Sequence, residues 1–173
     1  MTFSSKACHV QRRVTIGNQM VQIKWSDGND AHALAQVFYD AVRLGPSPYT
    51  QVQRVAWMPH VPATDVFRKR LARQHVAVAH INARPVGFLT LDDTGYLDLA
   101  FILAQHRGRG LFRMLYDAIE TRAAVMHLTR LHTHASLSAQ PAFQSVGFCV
   151  IQFEMVTLSG VHLRRAEMEK HLI

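Results

Sequence analysis

Apolar residues recur along this chain with two spacings, and the change from one to the other marks out its elements. Residues 21–25 read as a first strand, after which Ser26-Asp27-Gly28-Asn29-Asp30 supplies cap and turn chemistry. Over 31–43, Leu34, Val37, Phe38, Ala41 and Val42 fall on one face of a helix. Gly45-Pro46-Ser47-Pro48 stops it; a shorter helix is predicted over 49–57, ending at Met58-Pro59, and another over 65–73. Residues 75–81 and 86–91 make a predicted hairpin about Asn82-Ala83-Arg84-Pro85, and Asp92-Asp93-Thr94-Gly95 turns the chain into a third antiparallel strand over 96–103. A helix over 109–126, a strand over 128–135, a short helix over 138–145 and strands over 149–157 and 164–172 complete the reading. This order predicts an α/β (α+β) fold, a mixed and mostly antiparallel central sheet with helices on both faces.

A chain of 173 residues with 49% hydrophobic content suits a single domain, taken as 20–173. Residues 1–19 are polar, basic and aperiodic and read as a flexible extension, with Met20, just ahead of the first strand, as the expected natural start. No apolar run reaches membrane-crossing length, so no membrane partner is expected. Two isolated cysteines, Cys8 and Cys149, build no disulfide framework and point to the cytoplasm, with Cys149 read as a packed thiol in an apolar strand. The net charge of +7 favours an anionic partner. Interleaved aromatics, a recognition helix and RNA-binding signatures are absent, so nucleic acid is not that partner.

The anion-binding chemistry concentrates in Arg107-Gly108-Arg109-Gly110-Leu111-Phe112, where a strand pattern gives way to a helix pattern. Two glycines allow a tight turn with amides close to a ligand, and the first helical turn adds unpaired N–H groups and the positive end of its dipole. The segment has no Gly-Lys-Ser/Thr ending for a Walker A loop, and Arg113 stands where the dinucleotide fingerprint needs its third glycine. It resembles instead the acetyl-CoA loop, Q/R-x-x-G-x-G/A, of the GCN5-related N-acetyltransferases (GNAT). Gln105 opens a literal match two residues earlier, but the register starting at Arg107 places Leu111, Met114, Leu115, Ala118 and Ile119 on the helix face expected after the loop. A second likeness lies in residues 135–148, where a strand feeds a helix ending before Gly147-Phe148, and a softer one to an uncharacterised bacterial subgroup in the Trp57 region and 160–172.

The resemblance implies a GNAT fold, acetyl-CoA as cosubstrate without a metal, and direct transfer of an acetyl group to a small-molecule or peptide amine in a ternary complex. It implies that the backbone of Phe101, Ile102 and Leu103 holds pantetheine and the thioester carbonyl. The amides of Gly108, Arg109, Gly110 and Leu111 take the pyrophosphate, Phe112 starts the helix, and Arg107 or Arg109 meets phosphates from outside. Ser136 falls where many relatives carry a cofactor-contacting asparagine. The family's usual acid, a tyrosine four residues before the glycine of Gly-Phe, is replaced by Phe143, which packs beside the CoA sulfur or in the core. His134, Ser136 and Tyr116 are the candidate replacements, and a CoA-sensing module without turnover is the alternative function.

Strand alternation puts Tyr96, Asp98, Ala100 and Ile102 on one face. Asp98, a carboxylate in an apolar strand, is a candidate base, with a structural or substrate-positioning role as the alternative. Tyr39, Tyr49, Trp57 and Tyr96 are candidates for an acceptor pocket or for core. Arg68-Lys69-Arg70 with Arg73 reads as a solvated helix face, with a CoA 3'-phosphate or acidic substrate as the other reading. His132 and His134 share a strand face, but no nearby Cys, Asp or Glu completes a zinc-type ligand set in the sequence. An exposed final strand would permit pairing into a homodimer.

Overall fold

A computed structural model describes residues 12–16 and 19–172. Strand β2 (Gln19–Trp25) leads into helix α1 (Ala31–Arg43), followed by α2 (Gln51–Trp57) and α3 (Thr64–Leu71). Strands β3 (His75–Ile81), β4 (Arg84–Leu91) and β5 (Ala100–Ile102) come next, then α4 (Leu111–Val125), β6 (Arg130–Ser136), α5 (Gln140–Gln144), β7 (Cys149–Leu158) and β8 (Val161–His171). Part of the stretch read as an extension, Arg12–Ile16, forms a further strand, β1, antiparallel to β2. Its Val14, Thr15 and Ile16 are β-branched residues that favour the extended chain. The remainder of that stretch, 1–11 with 17 and 18, and Cys8 within it, lies outside the described residues.

The strands form two antiparallel sheets, β1-β2-β3-β4-β5 and β6-β8-β7. Strand β3 explains how the first sheet carries helices on both faces. Its Ala77, Ala79 and Ile81 pack with Leu111, Leu115 and Ile119 of α4, whereas Val76 and Val78 pack with Leu34 and Phe38 of α1 and Phe67 of α3. A strand buried on both faces reads as a near-continuous apolar run, as HVAVAHI does. Helix α2 has a capping box, with the Gln53 amide donating to Thr50 Oγ1 and the Thr50 amide to Gln53 Oε1. The Tyr49 hydroxyl donates to the Arg164 carbonyl of β8 and accepts from the Leu137 amide, so one phenol holds α2 against the second sheet.

Two expectations are corrected at the second sheet. The final strand is not an edge: β8 lies between β6 and β7, and the edge available for pairing is β7. Cys149 is exposed rather than packed, because alternate residues of β7, including Ile151, Phe153 and Met155, face outward. Among the described residues, no helix is long and apolar enough to cross a membrane.

Candidate active site

The segment 96–103 does not form the continuous strand expected of it. Only Ala100–Ile102 pair with β4, with Leu89 opposite Ala100, Phe88 opposite Phe101 and Gly87 opposite Ile102. Thr90 donates its amide to the Leu99 carbonyl at 2.9 Å, and its hydroxyl, rather than a backbone carbonyl, accepts the Leu99 amide. Nearer the turn the chain changes partner. Leu97 donates to the His132 carbonyl at 2.9 Å, His132 donates to the Gly95 carbonyl at 3.0 Å, and Tyr96 and His132 form a parallel bridge. Among the described residues this is where the two sheets join through the backbone; beyond Asp98 they open into a cleft.

This geometry revises which backbone groups are free. Leu99 and Leu103 bond to β4, the latter donating to the Val86 carbonyl at 2.9 Å, so by alternation Phe101 does too. Ala100 and Ile102 therefore direct their backbone groups toward the cleft, and the Ile102 carbonyl already accepts from Arg107 Nε. Of the expected trio, Ile102 keeps an open amide, while Phe101 contributes its ring and Leu103 packs between the two cores. Ala100 was missed, since only the observed register tells which alternate residues face β4.

The cleft holds two cavities that meet. One, of about 390 Å³, is lined by Ile102, Gly108, Gly110, Leu111 and Phe112 on one side and Ser136, Ser138 and Pro141 on the other. The second, of about 540 Å³, is lined by Tyr49, Tyr96, Asp98, His134 and Phe143, among others. Trp57, Ala100, Phe101, Ser136 and Ala139 line both. Tyr49, Trp57 and Tyr96 line the second cavity, whereas Tyr39 lies under the Arg43 guanidinium.

At the first cavity, Gly108 and Gly110 have φ of +70° and +78°, a left-handed conformation disfavoured by L side chains. No protein atom lies within 4 Å of where a Cβ would stand on either. The space they leave is open to a ligand rather than filled by packing. Helix α4 starts at Leu111 with no side chain capping it, and among the described residues no protein acceptor reaches the amides of Gly110, Leu111 and Phe112. Arg109 is exposed beside this loop. The Phe112 ring turns toward Phe143 and Tyr116, at centroid distances of 5.1 and 6.4 Å, which keeps it on the core side of the helix start.

Arg107 is exposed and lines the first cavity, yet its guanidinium is engaged by the protein itself. Its guanidinium donates to the carbonyls of Ile102, Pro46 and Ala41, tying the loop to the end of α1. Three backbone acceptors make this a structural staple, which no local pattern in the loop announces. The Arg68-Lys69-Arg70 face divides similarly. Arg68 pairs with Asp65 in solvent, but Arg70 turns in to hold Asp98 through both carboxylate oxygens, at 2.7 and 2.6 Å. Gln74 adds a third donor at 2.9 Å. With both oxygens engaged by fixed donors, Asp98 has the geometry of a positioned carboxylate.

Phe143 is 1% exposed and packs edge-on to Phe112 and Phe148, at the inner wall of the second cavity. Tyr116 lies outside both cavities, donating to Glu120 Oε1 in a network with Lys170; burial and that carboxylate push its phenol well above the ordinary range. His134 does face the second cavity, and its Nδ1 lies 3.1 Å from the Tyr96 hydroxyl. Carboxylates absent from its sequence neighbourhood arrive from other strands. Glu154 and Glu167 bring ligand-type atoms that, with those of His134, all lie within 4.8 Å of one another. Glu154 is engaged by Arg165, whose Nε donates to it at 2.7 Å.

Comparison with known proteins defines the class to which this fold belongs. The family model for the acetyltransferase (GNAT) domain matches residues 46–172, and the chain belongs to this family. An uncharacterised N-acetyltransferase of Escherichia coli, YafP, is 26% identical over 140 residues, covering 81% of this chain and 89% of that protein. A GCN5-related N-acetyltransferase crystal structure from Rhodopseudomonas palustris superposes with a TM-score of 0.79 at 26% identity, over 87% of this chain and 94% of its own. A putative acetyltransferase from Salmonella typhimurium, yncA, solved with acetyl-CoA, shares the fold at a TM-score of 0.69 and 18% identity, over 88% and 94% of the two chains.

Proposed function

We propose that this protein is an acetyl-CoA-dependent N-acetyltransferase that moves the acetyl group directly to an amine, with both substrates in the cleft together. The observation that carries this reading is the meeting of two cavities at Ala100, Phe101 and Ser136, beside the free edge of β5. One cavity offers the uncapped start of α4 and the space left by Gly108 and Gly110, which suit a diphosphate. The Salmonella relative's acetyl-CoA supports that assignment. The second cavity, with Tyr96, His134 and the Arg70-held Asp98 on its wall, suits an amine-bearing acceptor.

Acetyl-CoA supplies an activated acyl carbon. The protein's part is then placement: amides of 108–111 hold the diphosphate, the backbone of Ala100 and Ile102 aligns pantetheine, and Ser136 stands at the junction where the acyl group must sit. In this assignment Asp98 positions Arg70 and the pocket wall rather than taking a proton. Titration calorimetry with acetyl-CoA at near-physiological salt, followed by CoA release with a panel of primary amines, tests the reading. The expected result is binding and transfer to at least one amine; undetectable binding overturns it. Binding without transfer to any amine supports instead a sensor, a reading favoured by the buried Phe143 ring, which has no proton to donate.

A further inference from the structure

The second cavity contains a chain of proton-bearing groups drawn from three separate strands and the turn before β5. Tyr96 Oη lies 3.1 Å from His134 Nδ1, and His134 Nε2 lies 3.8 Å from Glu154 Oε2. Arg165 holds Glu154 in place from β8, at 2.7 Å. Both Tyr96 and His134 line the cavity. Resting on the acetyltransferase reading above, we propose that Tyr96 is the group that takes the proton from the acceptor nitrogen, passing its own hydroxyl proton to His134 Nδ1.

The relay requires one tautomer of the ring. A neutral His134 with its proton on Nε2 turns an N–H toward the Glu154 carboxylate and leaves the Nδ1 lone pair to accept from the Tyr96 hydroxyl. Burial and the negative charge of Asp98 raise the Tyr96 pKa, so the phenol enters the reaction protonated and serves as a conduit rather than as a standing phenolate. When His134 receives the proton it becomes a cation facing Glu154 from β7 and Glu167 from β8. The other charged or titratable groups around this point include Arg164 and Arg165 on β8, His132 on β6, Asp92 in the turn after β4, and Asp98 with its partner Arg70. The two glutamates closest to the ring stabilise its charged form, as the orienting carboxylate does in other base–carboxylate pairs.

The step balances. The acceptor nitrogen's lone pair forms the N–C bond, the C–S bond breaks with its electron pair going to sulfur, and the nitrogen loses one proton to Tyr96 Oη. Tyr96 returns to its starting state because its own proton has moved to His134. The thiolate takes one proton from solvent at the mouth of the cleft and His134 gives one back, so overall a single proton passes from nitrogen to sulfur. Tyr96 touches the reacting nitrogen and is the catalytic residue; His134 acts through it and is a positioning and relay residue. The acid role of the usual tyrosine, which the Phe143 ring cannot fill, falls to solvent in this scheme.

Two measurements test the relay. In protein labelled with nitrogen-15 at histidine, long-range nitrogen–proton correlation at neutral pH, assigned through His134→Gln, is expected to show His134 as the Nε2–H form, with Tyr96→Phe shifting it toward a mixture. A wild-type ring protonated on Nδ1 overturns the proposal, because that nitrogen then has no lone pair to accept with. With whichever amine of the panel is acetylated fastest, Tyr96→Phe and His134→Gln should each lower kcat by about 100-fold or more, while KM for acetyl-CoA moves less than about threefold. The double variant should be no slower than the worse single, since the two act as a unit. Rates near wild type, or losses that multiply, also overturn it. Failure of wild type to bind acetyl-CoA would instead remove the acetyltransferase reading, whatever tautomer His134 adopts.

Discussion

Replacing Gly110 with alanine separates what the glycine loop does for the fold from what it does for a ligand. Gly110 sits at φ +78°, with no protein atom within 4 Å of an added Cβ. The protein therefore bears backbone strain but no clash, about 1–2 kcal/mol for a non-glycine residue in this region. At about 2–4 °C per kcal/mol for a chain of this size, Tm should fall by roughly 2–8 °C. Binding should suffer more. The Cβ enters the space on the ligand side of the loop, and losing one hydrogen bond to a charged oxygen costs about 1.5–3 kcal/mol. Taken at about 1.4 kcal/mol per tenfold, that raises the CoA Kd about 10- to 150-fold. Gly28→Ala is the control, since Gly28 has φ +86° and similarly open space but lies away from both cavities. It should lose comparable Tm and bind CoA as wild type does. The assays are calorimetric titration with CoA and thermal unfolding of the three proteins. If Gly110→Ala binds CoA within about twofold of wild type, the loop is not the diphosphate site and the reasoning fails.

Other outcomes follow from the same geometry. Gly95→Ala places a Cβ 2.3 Å from the Arg130 carbonyl at a φ of +90°, where the two sheets join, and should destabilise by about 2–4 kcal/mol in urea unfolding. A loss below about 1 kcal/mol would show that the junction yields easily. Asp98→Asn should leave acetyl-CoA affinity unchanged and lower kcat by less than about tenfold, because the carboxylate holds Arg70; a much larger loss in kcat alone would restore it as the base. His80, His106 and His132 are all pushed below the ordinary histidine range, chiefly by burial. The unfolded chain then takes up protons first, so stability is full above pH about 6.5 and declines as pH falls toward 5.5. A urea midpoint that rises on acidification over that interval contradicts the sign.

The parts of the fold legible in the sequence are those where one residue type serves one purpose. Leu34, Val37, Phe38 and Val42 mark α1 because a helix packed on a sheet repeats its apolar face every three to four residues. Gly108 and Gly110 mark the anion loop because few other residues tolerate that backbone. What was hidden depends on partners distant in the chain. Asp98 stands out as a carboxylate in an apolar strand, but its role changes once Arg70, 28 residues away, grips both oxygens. Arg107 has the charge for a phosphate, and its guanidinium also donates to three carbonyls from 5 to 66 residues away. The break within 96–103 leaves no local trace, because its alternation is intact; it arises from His132 taking the pairing of Leu97. Tyr96 and His134 are 38 residues apart, and nothing in either neighbourhood announces the other.

The most direct measurement is a titration of nitrogen-15-labelled protein with CoA, following each backbone amide. The account predicts that the largest shifts fall on Gly108, Arg109, Gly110 and Leu111, saturating together with Ala100 and Ile102 on the facing strand. Saturable shifts centred elsewhere, with those amides unmoved, would contradict it.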